Sequence, residues 1–165
     1  MRTGSAVRSP SVVSRIDVGR YFEKLTRRVA GRRRRRPSGR LESGLEIEYT
    51  PALDGDPDPG EIVWTWVPYE DDPSQGKDRP VLVIGRRRGV LVGIPLTSKF
   101  DDRELQIELG TGDWDSRHRV SYARIERMLD IDPARMRREG AIIDRPRFDR
   151  VVDAVERYHG GRPSG

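Results

Sequence analysis

The chain of 165 residues contains no cysteine, which excludes a disulfide framework, a cysteine nucleophile and the usual zinc ligands. Histidine is nearly as scarce, since His118 and His159 are too few for a His-rich metal site. Lysine is rare as well, with 3 residues against 29 arginines. A GC-rich genome produces that bias as readily as selection for guanidinium chemistry, so arginine counts alone carry no functional argument. No apolar run approaches the roughly 20 residues of a membrane span, which gives no membrane partner. An apolar stretch of the secretory-signal kind is missing too, although the Arg-rich, acid-poor start superficially matches an organelle transit peptide. Paired histidines, a paired-carboxylate motif and a Gly-rich phosphate loop are all absent, so most enzyme classes have no support.

What is present is divided by charge. The formal net charge is +5, but residues 1–45 hold 13 Lys or Arg against 3 Asp or Glu, and residues 46–165 hold 19 against 24. A basic tail therefore precedes a mildly acidic body, whose nucleic-acid binding would have to come from a local cluster. In the tail, Val18, Phe22, Leu25 and Val29 form one helical stripe ending at Gly31. Arg32 to Arg36 follow unbroken, and like charges at that density predict a solvated, flexible run. LDGDPDPG, residues 53–60, reads as a linker. The expected organisation is a basic extension over residues 1–56 and a folded domain over residues 57–160. Deleting residues 1–50 is expected to leave that domain folded.

Period-two patterning begins at Glu61. EIVWTWV sets Ile62, Trp64 and Trp66 on one face and Val63, Thr65 and Val67 on the other. Packing of both tryptophans into the core is expected from the Ile62 they accompany. A polar loop runs from Pro68 to Asp78, then Val81–Ile84 reads as a buried strand and Arg86–Gly89 as a charged turn. Val90–Leu96, Leu105–Leu109 and Arg119–Ala123 read as further strands. Asp132 and Pro133 open a short helix that Gly140 closes, and Asp144 starts a longer one. In the longer helix Phe148, Val151, Val152 and Val155 share a stripe, and Gly160 ends it. Short strands with tight turns predict a mainly β fold with some α, a small barrel carrying a C-terminal helix.

GRRRG, residues 85–89, lacks the ending and context of a phosphate loop, and DPDPG lacks spaced calcium ligands. Three other segments stand out together: GEIVW from Gly60, GKDRPVLVIG from Gly76 and PLTSK from Pro95. With RIERMLD from Arg124 and the final helix, their order and spacing resemble the PemK/MazF family of bacterial toxins over about residues 57–160. The resemblance implies an SH3-like barrel of the PemK, MazF and CcdB kind and a homodimer in the cytoplasm. It implies the toxin of a type II toxin–antitoxin system, an endoribonuclease that cuts single-stranded RNA at short sequences without a metal ion or other cofactor. Its second partner would be a partly disordered antitoxin. The family's catalytic arginine and threonine fall on Arg79 and Thr97, with Ser98 as the neighbour should the register differ by one.

That chemistry agrees with the residue types. Attack of a ribose 2′-hydroxyl builds negative charge on phosphoryl oxygens, which a permanently ionised, forked guanidinium suits. Pro80 biases Arg79 toward extended backbone, fixing its aim. Thr97, ending an apolar strand, is placed to donate a hydrogen bond. The sequence names no general base; Asp78 and Glu61 are the acids beside these motifs. Lys77, Arg86, Arg87, Lys99 and Arg127 are candidate RNA contacts, and Trp114, in a polar loop, is the candidate exposed stacking surface. Gln75 and Gly76 lie in the loop that would close over substrate. His118, a lone loop histidine, reads as a bystander. Two rival functions remain, since fold alone does not fix function: a non-catalytic DNA- or RNA-binding member, and a gyrase-directed toxin.

Overall fold

A 12-residue strand organises the molecule. In the computed structural model, which describes residues 44–52, 54 and 56–160, strand β3 spans Gly76–Arg87 and pairs antiparallel with three others. They are β1 (Leu45–Ile47), β2 (Glu61–Pro68) and β4 (Val90–Thr97). β5 (Gln106–Gly110), β6 (Ser121–Arg124), β7 (Leu129–Ile131) and β8 (Met136–Ile142) complete one eight-stranded sheet. Its path is β5-β6-β4-β3-β2-β8, with β1 on β3 and β7 on β4. Register shifts at Ile62/Trp64, Val83/Gly85 and Glu108/Gly110 add the local bends by which a small sheet curls. The architecture is the mainly β class with one C-terminal helix that the sequence predicts.

Several elements differ from expectation in length or place. The expected strand Val81–Ile84 extends from residue 76 to 87, because Lys77, Asp78 and Arg79 pair with Val67, Trp66 and Thr65. The loop expected from Pro68 to Asp78 shrinks to residues 69–75. There the Asp72 carboxylate accepts from the Ser74 N–H at 3.1 Å and from Gln75 Nε2 at 2.8 Å. The turn after β3 is only Arg88 and Gly89, with φ of 51° and 83°, the left-handed pair of a two-residue hairpin. The helix expected after Asp132 is one 3-10 turn, Pro133–Arg135; Met136–Ile142 then pairs with β2 instead of coiling.

The boundary expected at residue 57 also moves. Leu45 is fully buried, Ile47 is 4% exposed, and both lie in β1, inside the stretch read as extension and linker. Tyr49 follows with its hydroxyl donating to the Ile143 carbonyl at 2.8 Å and its ring 5.0 Å from that of Phe148. The tail's helical stripe and arginine run fall outside the described residues.

The core is legible in pairs of strands. Val63 and Val67 of β2 meet Val81 and Val83 of β3, Leu91 of β4 and Ile131 of β7. Inward-facing Val63, Thr65 and Val67 alternate with outward-facing Trp64, Trp66 and Pro68. Trp66 is therefore 48% exposed, contrary to the core position expected for it, and Trp64 is only partly buried, while Val63, Thr65 and Val67 occupy the packed face. Helix α1, Arg145–His159, buries Phe148, Val151, Val152, Ala154 and Val155 as its sequence pattern predicts. Asp144 caps it by accepting the Arg147 N–H at 3.0 Å.

Candidate active site

Arg79 enters the site through strand register. Its cross-strand partner on β2 is Thr65, so its side chain leaves β3 on the same face as Val63 and Val67. On the other side of β3, Leu82 pairs with Ile94 and Val81 with Pro95. The pairing ends there: Arg79 lies two residues further along β3, and Thr97 two residues further along β4. β4 there turns toward β6, where Thr97 pairs with Tyr122. Thr97 Oγ1 accepts the Lys99 N–H at 3.2 Å, which holds the hydroxyl at the strand end. The next residues, Ser98, Lys99 and Phe100, are exposed, and the Phe100 ring lies 5.4 Å from that of Tyr122.

The electrostatics single out Arg79. Arg124 is matched: its guanidinium bonds Glu104 at 2.8 and 2.6 Å and Glu70 at 3.0 Å. Burial opposes its charge, but the hydrogen bonds and charge of Glu104 outweigh this and raise its pKa. Arg127 donates to the Pro68 carbonyl and lies 3.6 Å from Glu70. Half-buried Arg79, by contrast, has no hydrogen bond or ion pair among the described residues. Burial, then the charge of Arg124, lowers its pKa from the ordinary guanidinium value. Lys77 is lowered too, first by Arg79, then by burial, Lys99 and Arg119. Like charges thus converge on one place with no carboxylate bonded to Arg79 there, an arrangement suited to an anion. A cleft of roughly 100 Å³ adjoins it, lined by Glu70, Glu104, Leu105, Arg124, Glu126 and Arg127.

Other sequence candidates lie elsewhere. Arg86 and Arg87 are seven and eight residues along β3 from Arg79, roughly 23 Å or more away at strand rise. Arg86 lies 3.6 Å from Asp58, and Arg87 is bonded to Asp130. Trp114 is 2% exposed, so the stacking surface expected there is not available. Its Nε1 donates to Ser121 Oγ at 3.0 Å, and Gly112 packs against its ring, so the indole anchors the polar loop from inside. Gln75 is exposed but engaged with Asp72, and Gly76 opens β3 beneath Trp66. Of the two acids considered as a base, Glu61 is 1% exposed and opens β2 four residues before Thr65. Asp78, on the opposite face of β3, lies 3.4 Å from Arg137. His118 is exposed in the loop before β6 with φ of 49°. Sequence reasoning missed Glu70, Glu104 and Tyr122, which belong to three separate segments; RIERMLD pointed toward this neighbourhood through Arg127, expected as an RNA contact.

The family model for the PemK-like, MazF-like toxin of type II toxin–antitoxin systems matches residues 58–159, well over half of the chain. The chain belongs to that family. No curated protein sequence matches it. The family match spans every strand from β2 onward and all of α1, and leaves β1 outside. Members of this toxin family are usually endoribonucleases and have an antitoxin partner. Within this toxin-family domain, Arg79 and Thr97 occupy the start of β3 and the end of β4, and no helix among the described residues is long and apolar enough to cross a membrane.

Proposed function

We propose that this chain is a metal-independent endoribonuclease that cuts single-stranded RNA at short sequences, the toxin of a cytoplasmic toxin–antitoxin pair working as a homodimer. The observation that carries the proposal is the half-buried guanidinium of Arg79, which has no hydrogen bond or ion pair among the described residues and lies on the strand beside the one that ends at Thr97. As the 2′-hydroxyl attacks, charge accumulates on the phosphoryl oxygens. Arg79, bonded to no carboxylate among the described residues, offers its fork to that charge without first breaking an ion pair. Thr97 uses its oxygen to accept from Lys99 N–H, so its O–H proton is free for a phosphoryl oxygen. Lys77 and Lys99 add positive charge at the entrance, and Ser98 adds a second hydroxyl. An acidic antitoxin segment would compete with RNA for the same cations.

The chemistry has a direct test. An RNA carrying a single 2′-deoxynucleotide on the 5′ side of the cut should resist cleavage, while its all-ribose twin is cut to a 2′,3′-cyclic phosphate. Equal cutting of both would refute attack by the 2′-hydroxyl.

A further inference from the structure

A second cavity opens on the other face of β2. Its volume is roughly 300 Å³, and it is lined by Trp64, Asp115, Ser116, Arg117, Arg119 and Arg137. That volume lies at the lower end of small-ligand sites and has room for one nucleotide. Three guanidinium groups face one carboxylate, and that carboxylate is not free to repel an anion. Asp115 is 5% exposed and accepts from the Arg117 N–H at 3.0 Å and from Arg119 Nε at 2.8 Å. A buried anion therefore shapes the loop that carries both arginines.

The aromatic wall is equally fixed. Trp64 Nε1 donates to the Trp114 carbonyl at 2.9 Å, and Arg137 is its cross-strand neighbour on β8. Arg137 is held 3.4 Å from Asp78, while the Arg117 guanidinium has no partner among the described residues. Trp66, two residues on and facing the same way, covers Gly76 and remains 48% exposed.

We infer that this cavity is a nucleotide subsite, stacking one unpaired base of single-stranded RNA on Trp64 and holding its phosphate with Arg117 and Arg119. The inference rests on the ribonuclease reading and extends it to how nucleotides flanking the cut are gripped. An acidic peptide would use the arginines alone. An indole beside three arginines is the pairing of base stacking with phosphate contact. Trp114 is buried, so the loop contributes its guanidinium groups and backbone while Trp64, with Trp66 beside it, supplies the ring.

The test uses the full chain and a short, fluorescently labelled single-stranded RNA. Arg117→Ala removes an exposed, unpartnered side chain and should not disturb folding. It should lower affinity severalfold, reduce the slope of log affinity against log salt by about one, and raise KM with kcat unchanged. Trp64→Leu should lower affinity roughly fivefold or more, and Trp64→Phe should restore most of it. Unchanged affinity, salt slope and KM in Arg117→Ala would overturn the subsite even if Trp64→Leu failed to fold. Normal RNA binding with lost binding of an acidic peptide would overturn it in favour of a protein partner. RNA binding that depends on Arg117 in a wild-type chain that cuts nothing would refute the ribonuclease reading and leave the subsite standing.

Discussion

Removing residues 1–50 takes away β1 and Tyr49, and the loss can be sized from what they bury. Leu45 is fully buried and Ile47 is 4% exposed. Each such side chain contributes roughly 1.5–3 kcal/mol. The Tyr49 hydroxyl bond to Ile143 adds about 1 kcal/mol, and its ring contact with Phe148 about as much again. The sum, about 5–8 kcal/mol, is comparable to the roughly 5–15 kcal/mol that stabilises a typical domain. A chain lacking only residues 1–43 retains all of these contacts and is the proper reference. Thermal unfolding followed by circular dichroism should place the shorter chain at least about 10 °C below that reference, or show no transition. Gly85→Ala gives the same result by another route. A Cβ there would sit 2.1 Å from the Glu46 carbonyl oxygen, so β1 would have to move off β3. Melting of the two truncations within about 2 °C of each other would refute this account of β1.

Three further outcomes follow from the charge and packing around the site. The pKa of Lys77 lies below its ordinary 10.5 chiefly because of Arg79, so Arg79→Ala should move it upward; NMR titration of a chain with only three lysines can read this, and an unmoved pKa would contradict the proximity of the two cations. Glu104 has a lowered pKa, since burial, which raises it, is outweighed by hydrogen bonds from Arg124 and Gln106. Its stabilising contribution is therefore present above the ordinary glutamate range and lost as pH falls through the folded value. Urea unfolding across that acid range should be less pH-dependent in Glu104→Gln than in the parent, and identical acid limbs would contradict the pairing. Trp114→Phe deprives buried Ser121 of a donor and should cost about 1–3 kcal/mol, whereas a loss below about 0.5 kcal/mol would show that the indole bond does not anchor the loop.

How much the sequence revealed depended on whether the information was local. Helix α1 was legible because Phe148, Val151, Val152 and Val155 repeat at helical spacing behind an Asp144 cap. β2 was legible as a strand, but period two cannot say which face is packed; the face of Val63, Thr65 and Val67 is, and Trp66 is left outside. β3 was only partly visible, because Lys77, Asp78 and Arg79 are polar and are held in strand by pairing with β2. Three residues, LEI, are too few to announce β1, whose strand partner is β3. Asp132 and Pro133 did signal a start, yet the chain completes one turn before β8 is captured by β2. The segments holding Arg79 and Thr97 were readable as motifs because each residue lies within a single strand. The Glu70, Glu104 and Arg124 network was illegible, since only folding joins its segments.

We propose Arg79 as the charge-bearing group of a ribonuclease that needs no metal. The purified full chain, incubated with a long single-stranded RNA in excess EDTA and followed by mapping of the ends, tests it most directly. Discrete cuts at a short recurring sequence are expected from the wild type, with a loss of roughly a hundredfold or more in Arg79→Ala. Intact RNA from a folded wild-type chain, or wild-type rates from Arg79→Ala, would contradict it.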